Sequence, residues 1–215
     1  MCQRAVSART GGSEEGRVLS AIFVSAPCDW GAPARAGPMR RCRREIVDMD
    51  YQKAAAYWTD RQDGPGRMDP KEALAEAEAY LRSRTTCALA TADLDGFVRC
   101  TPIEYTYEDG ALWMMSEGGL KFRALERNKN VSVSVFDQFE GWATLSGVQI
   151  QGVADVIEPW SEEYLAYLGR RGIPESRLRG LPTEINLIRV RPTSMDVLLA
   201  GLKSRGFDSR QHLEL

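Results

Sequence analysis

The chain has 215 residues, of which 43% are hydrophobic and 27% charged, a composition typical of one globular domain with additions. Its formal net charge of −2 gives no strong field that would attract nucleic acid or an anionic membrane. No apolar run approaches the ~20 residues that a membrane-spanning helix needs. We therefore expect a cytoplasmic protein that binds neither nucleic acid nor membrane.

The cysteines and the histidine limit the kinds of site that the chain can hold. The cysteines are odd in number and none lies in a CxxC pair: Cys2, Cys28, Cys42, Cys87 and Cys100. A disulfide framework and a structural zinc site are therefore not expected, and we predict no metal site. Cys87 and Cys100 lie in strand-like apolar runs and are expected to be buried. The single histidine, His212, argues against a Ser–His–Asp triad.

Residues 1–48 differ from the rest of the chain. They contain eight arginines, no lysine and five acids, in no regular period. Their apolar run, residues 18–24, is short for a signal peptide, and Glu14 and Glu15 precede it where positive charge would be expected. Two interpretations remain open: a disordered extension, or upstream DNA translated from a start codon assigned too early, with Met49 as the true start.

Two helices are predicted before the first strand. Residues 50–61 have the spacing of an amphipathic helix. A second helix begins at Asp69, whose side chain can cap it, and Pro70 suits the first turn. Leu74, Ala77 and Leu81 continue its apolar face.

From Cys87 onward the pattern changes to strands. Residues 87–91 form a short apolar run, and the strand predicted over residues 97–107 returns after a turn. Asp109-Gly110 is typical of a tight hairpin, which leads into a strand over residues 111–116.

The second half continues the antiparallel pattern. The expected elements are a short helix over residues 121–128, an alternating strand over 131–136, a long strand over 144–157 bent or bulged at its glycines, a helix over 161–171 and a last strand over 186–199. Hairpin connections favour a closed or partly closed antiparallel barrel over a parallel sheet.

Several stretches carry a family resemblance by their order and spacing: GFVRCTP (96–102), LWMMS (112–116), KFRALERN (121–128), VSVSVFD (131–137) and QIQGVA (149–154). Together they resemble the core of the pyridoxamine-5'-phosphate-oxidase-like proteins, over roughly residues 81–195. The resemblance implies a mainly β domain with flanking helices, an antiparallel Greek-key split β-barrel, over residues 49–215. It also implies FMN at a homodimer interface.

The residue types suit a flavin phosphate, a dianion that needs converging cations and donors. Arg99 and Thr101 lie two positions apart on one strand and so share a face. Gly118 and Gly119 let the backbone approach closely, and Lys121 opens a short helix. The resemblance assigns the phosphate to Arg99, Thr101, Ser116 and Lys121.

The resemblance also implies contacts to the flavin ring. Pro102 and Ile103 would flank the isoalloxazine, Met115 would contact the ring or the ribityl chain, and Gln149 or Gln151 would donate from the partner strand. Other interpretations stay open: Arg99 could pair with Glu104 on a facing strand, and each glutamine could be merely structural. We expect Trp113 and Trp142 to be core or interface aromatics.

Three functions are compatible with the sequence. The first is an FMN-dependent oxidoreductase acting on an unidentified small organic molecule, with a nicotinamide electron donor and no assigned catalytic residue. The alternatives are a deazaflavin-dependent reductase and a non-enzymatic flavin- or haem-binding protein. Oxidation of pyridoxamine phosphate itself is disfavoured, because Cys100 and Thr101 replace part of the oxidase's basic strand motif.

Overall fold

The computed structural model describes Lys53 and residues 64–215. The prediction for residues 1–48, the proposed boundary at Met49 and most of the helix predicted over 50–61 lie outside these residues, although Lys53 is helical. In chain order the elements are α1 (Pro70–Arg82), β1 (Thr86–Ala92), β2 (Val98–Glu104), β3 (Thr106–Glu108), β4 (Ala111–Ser116), α2 (Leu120–Leu125), β5 (Asn130–Phe136), β6 (Ser146–Ile157), α3 (Glu162–Arg171), α4 (Glu175–Arg179), β7 (Asn186–Leu199), a 3-10 helix (Ala200–Arg205) and β8 (Arg210–Glu214).

The helices begin where the sequence predicts. The Asp69 carboxylate accepts a hydrogen bond from the Lys71 N–H at 2.9 Å, and Pro70 occupies the first turn of α1. Ser161 caps α3 by accepting from the Tyr164 N–H. That helix ends at Gly172, whose φ of 62° is the left-handed conformation that glycine adopts without strain.

The strands form one antiparallel sheet in the order β2-β1-β5-β6-β7-β4-β3, with β8 paired to β7. The sheet curls around a core that α1 closes and to which β1, β4, β5, β6 and β7 contribute fully buried side chains: Leu89, Leu112, Val133, Ile150 and Ile188. Helix α3 packs on the outer face of β4, where Tyr167 stacks on Trp113 with ring centroids 5.3 Å apart. The fold is an antiparallel split β-barrel with flanking helices, as predicted.

The expected irregularity in the long strand lies at Gly152. The register between β6 and β7 shifts between Gln151 and Gly152, opposite Pro192. A Cβ atom at Gly152 would lie 2.6 Å from the carbonyl oxygen of Arg191. The bulge therefore requires the absence of a side chain at this position.

The single strand predicted over residues 97–107 is wrong. It divides at Tyr105 into β2 and β3, which occupy opposite ends of the sheet order. Tyr105 is held apart from both strands, since its N–H donates to the Thr85 carbonyl and its hydroxyl to the Leu81 carbonyl, each at 2.8 Å. These two bonds redirect the chain from one edge of the sheet to the other.

Three elements at the end of the chain are absent from the sequence prediction: α4, the 3-10 helix and β8. In strand β8, Gln211 and Leu213 are buried, and the strand pairs with the C-terminal part of β7. Among the helices of the described residues, none has the length and apolarity to cross a bilayer.

Candidate functional site

The strand register places three of the predicted phosphate ligands on one face of the sheet. Arg99 lies opposite Thr91 and Thr101 opposite Leu89, so both point toward the core side of β2. Ser116 follows Leu112 and Met114 on the core side of β4. The core-facing sides of β2 and β4 thus carry the donors predicted from the sequence.

Lys121 extends from α2 and is buried, with a relative exposure of 8%. Its ammonium donates a hydrogen bond to the Gly118 carbonyl at 2.8 Å. Burial lowers the pKa of Lys121, the charge of Arg99 lowers it further, and Glu117 offsets part of this effect. In the part of the chain that the structure describes, no carboxylate lies within ion-pair distance of Lys121.

Arg99 does not form the alternative ion pair considered for it. Glu104 lies on the same strand as Arg99, on the opposite face, and not on a facing strand as expected. Among residues 64–215, Arg99 forms no ion pair. Arg99 and Lys121 are therefore two neighbouring cations that form no ion pair within the described residues, an arrangement suited to an anionic ligand.

The buried hydroxyl of Thr91 bears on whether these residues could bind a phosphate. Thr91 is 2% exposed and lies directly opposite Arg99 in the strand register. Its Oγ1 has no hydrogen-bond partner. A buried polar atom left without a partner is uncommon in folded proteins and is costly unless a ligand or water satisfies it. The unpaired hydroxyl on the residue opposite Arg99 fits a phosphate.

The three residues predicted to contact the flavin ring or ribityl chain do not lie together. Ile103 is partly buried on the core side of β2, whereas Pro102 is exposed on the other side. Met115 points to the α3 side of β4, with Trp113. There it lines a cavity of ≈ 360 Å³ together with Glu104 and Arg171. Within one chain, these residues therefore do not form a single ring-binding surface.

Gln149 and Gln151 are exposed on the face opposite to Arg99. They pair with Ser134 and Ser132 on β5, and these serines share the face of Pro102 through the β1 register. Gln151 donates a hydrogen bond to the Ser132 hydroxyl at 3.3 Å. The sheet itself separates the two glutamines from the cations of the same chain.

The sequence analysis missed a second cavity, of ≈ 440 Å³, that includes Arg99. Arg123 and Arg127 line it. They lie four positions apart, on α2 and just beyond its end, and this helical spacing is the sequence feature that could have indicated a shared basic surface. The same residues do not form a metal site: no cluster of three or more metal-binding side chains occurs among the described residues.

The two cysteines in the described region differ from each other. Cys87 is buried, and burial raises the pKa of its thiol to about 12. Cys100 is exposed on β2, so the prediction that it is buried is wrong. Side chains alternate along β2, so Arg99 and Thr101 point toward the core side and Cys100, which lies between them, points away from it. Trp113 is a core residue, whereas Trp142 is 81% exposed and is not part of the core of this chain.

Comparison with known proteins supports the architecture. A conserved hypothetical protein from Mycobacterium tuberculosis is 22% identical, with a TM-score of 0.53 over 67% of this chain and 92% of that one. ChuZ from Campylobacter jejuni is 14% identical, with a TM-score of 0.52 over 69% and 62% of the two chains. At these identities the similarity shows the fold alone.

Sequence comparison identifies the family. None of the curated proteins compared with the chain matches it. The family model described as pyridoxamine 5'-phosphate oxidase matches residues 73–192, more than half of the chain. Because that match covers more than half of the chain and runs from α1 into β7, this protein belongs to the pyridoxamine 5'-phosphate oxidase family.

Proposed function

We propose that this protein is a flavin-dependent oxidoreductase that binds FMN and transfers electrons between a nicotinamide donor and a small organic molecule. The observation that carries the proposal is the proximity of buried Lys121 to Arg99, neither of which forms an ion pair among the described residues, while the charge of Glu117 offsets only part of the effect on Lys121. Two unneutralised cations repel each other, and a bound phosphate dianion would reverse the sign of that interaction.

In this proposal each residue of the site has a binding role. Lys121 and Arg99 would neutralise the phosphate, and Thr101 and Ser116 would donate hydroxyl hydrogen bonds. Ile103, on the same face of β2 as Arg99, would contact the ring or the ribityl chain from its own chain, whereas Pro102 and Met115, on other faces, would do so only from the partner chain of a homodimer. When bound, the flavin supplies the electron chemistry, and the protein supplies orientation and electrostatics. We assign no acid–base residue to the reaction.

The haem-binding alternative is disfavoured by the surroundings of the single histidine. Both ring nitrogens of His212 are occupied, since Nδ1 lies 2.8 Å from Asp196 and Nε2 lies 3.0 Å from Glu214. A histidine ligand to haem iron requires a free ring nitrogen. His212 would have to break one of these contacts to serve as that ligand.

The absorption spectrum of the purified protein tests the proposal. We expect the two visible bands of oxidised flavin, and FMN as the species released by gentle denaturation. Anaerobic addition of NADH or NADPH should bleach these bands. A Soret band in their place, or a protein that binds no flavin in titrations, would overturn the assignment.

A further inference from the structure

The cavity of ≈ 440 Å³ lies between the β1–β2 turn and α2 and shares Arg99 with the proposed phosphate site. Its volume falls within the range of small-molecule sites. FMN held by Arg99 and Lys121 would therefore place its phosphate at the edge of this cavity. The rest of the cavity has no function in the proposed reaction.

The cavity lining contains two arginines besides Arg99. These are Arg123 and Arg127, and both are exposed. Neither forms an ion pair within the described residues. Guanidinium groups bind phosphate oxygens in a bidentate fashion, so these two arginines can hold a second phosphate group beside the first.

Two exposed apolar side chains complete one wall of the cavity. Phe97 is 67% exposed and Leu120 is 50% exposed, and both line the cavity. The Phe97 ring is presented by the β1–β2 turn, because the Asp93 carboxylate accepts hydrogen bonds from the N–H groups of Asp95 and Phe97 at 3.0 and 2.9 Å. An exposed aromatic ring carried by a turn whose backbone is held in this way suits a stacked nucleobase.

Acidic side chains narrow the choice of ligand. Three carboxylates, equal in number to the arginines, also line the cavity: half-buried Asp93 and exposed Asp95 and Glu126. They would repel a ligand that carries only carboxylates or phosphates, such as the polyglutamyl tail of a deazaflavin. Carboxylates accept hydrogen bonds from ribose hydroxyls in dinucleotide sites. Arginines, carboxylates and an aromatic ring in one cavity therefore match a nucleotide, which has phosphates, a ribose and a base.

We propose that this cavity binds an adenosine diphosphate moiety next to the flavin phosphate. Its position beside that phosphate rests on the proposed function, whereas the lining of the cavity does not. Two molecules contain this moiety: FAD, in which it is attached to the flavin, and the nicotinamide dinucleotide donor, in which it would enter beside bound FMN.

ADP is the probe, titrated into FMN-loaded protein by calorimetry. Saturable binding is expected, and Arg127→Gln or Arg123→Gln should weaken it roughly tenfold or more, since each removes a charge-assisted hydrogen bond. Phe97→Ala should weaken it less. FMN affinity should be unchanged in all three variants. Arg177→Gln is the matched control, because Arg177 is an exposed helical arginine outside the cavity.

Further measurements distinguish FAD from the nicotinamide dinucleotide as the molecule that supplies the adenosine diphosphate moiety. Tighter binding of FAD than of FMN, with the difference abolished by Arg127→Gln, would identify FAD. Competition of ADP with NADH or NADPH in the reduction of FMN-loaded protein would identify the donor. If the chain binds no flavin, ADP is titrated into the apo-protein, where binding sensitive to Arg127→Gln but not to Lys121→Ala would still support the cavity site. Absence of saturable ADP binding, or equal binding by wild type and both arginine variants, would overturn it.

Discussion

The guanidinium of Arg99 on β2 lies close enough to the buried ammonium of Lys121 on α2 to lower the pKa of that lysine. Like charges kept in proximity destabilise the empty site, and the fold tolerates them because Lys121 also bonds the Gly118 carbonyl. Because flavin binding is proposed to depend on these charges, substitutions that remove one of them should weaken flavin binding without disturbing the fold.

Replacement of Lys121 by alanine should weaken FMN binding roughly tenfold to a hundredfold, the equivalent of one charge-assisted hydrogen bond. Lys121→Arg should lose less, because the charge is kept while the geometry differs. Ser116→Ala should be milder than Lys121→Ala, because it removes a neutral donor. Titration of each apo-protein by flavin fluorescence quenching gives the order.

Lys203→Ala is the control for these titrations, since Lys203 is exposed on the 3-10 helix. Thermal denaturation of the apo-proteins should show little difference between Lys121→Ala and wild type. Wild-type affinity in Lys121→Ala would remove the centre of the proposed phosphate site and leave the flavin assignment dependent on family membership.

The affinity for FMN should fall as pH rises through the lowered pKa of Lys121. Below that pKa the free protein already carries the charge, and the phosphate binds without proton uptake. Above it the site must take up a proton on binding, because a bound dianion raises the pKa of Lys121 again. In Lys121→Arg the guanidinium stays charged, so dissociation constants measured across alkaline pH should change less. Parallel pH profiles for the two proteins would contradict this explanation.

The sequence predicts the fold well wherever the pattern is local. The Asp69 cap, the Asp109-Gly110 hairpin and the alternation of β5 depend on neighbouring residues, and all three are present in the structure. Gly152 also signals the bulge, although its reason, the approach of the Arg191 carbonyl, is a contact between strands far apart in sequence.

Non-local contacts account for what the sequence does not predict. The break at Tyr105 depends on bonds to Leu81 and Thr85, and no pattern within residues 97–107 indicates them. The opposite faces of Arg99 and Glu104 follow from the register of β2 on β1. The family resemblance predicts phosphate ligands, but it does not indicate the cavity that Arg123 and Arg127 line, because that cavity exists only when α2 packs beside the β1–β2 turn.

Gly152→Ala should destabilise the protein by about 1–3 kcal/mol, the usual cost of overpacking a rigid site. The added Cβ would meet the backbone carbonyl of Arg191 at 2.6 Å, and a backbone atom cannot move aside as a flexible side chain can. Gly201→Ala is the matched control, since nothing lies within 4 Å of a Cβ there. Urea unfolding followed by circular dichroism measures both variants. Equal midpoints for the two would show that the bulge accommodates a side chain.

His212 should stabilise the pairing of β7 and β8 at low pH. Burial lowers the pKa of His212, but its hydrogen bonds to Asp196 and Glu214, together with their charges, outweigh burial and raise it above the ordinary value. The stabilisation is therefore complete below the unfolded-state pKa of about 6.5 and is lost as pH rises through the folded-state value. The difference in unfolding free energy between wild type and His212→Gln should shrink over that range. A difference independent of pH would reject the ionic contribution.

The position of Gln149 and Gln151 leads to the last prediction, which concerns assembly. If either glutamine contacts a flavin held by Arg99 and Lys121, that flavin must belong to another chain, because the sheet separates the two groups within one chain. We therefore expect a two-fold homodimer with each flavin touched by both chains. Light scattering at micromolar concentration should give twice the mass of one chain, and a flavin-loaded monomer would reject the dimer.

Mixed dimers test whether the glutamines act across the interface. Lys121→Ala in one chain and Gln149→Ala with Gln151→Ala in the other leave every single-variant homodimer with two defective sites. In a mixed dimer, one site combines both defects, and the other combines intact Lys121 from one chain with intact glutamines from its partner. Differently tagged chains, coexpressed and purified through both tags, should therefore bind about one flavin per dimer with wild-type affinity. If the glutamines instead served their own chain, the titration of the mixed dimer would show only the two weakened affinities of the parent variants. If they served no flavin, the glutamine-variant homodimer would already bind with wild-type affinity at both sites, and either result would reject their action across the interface.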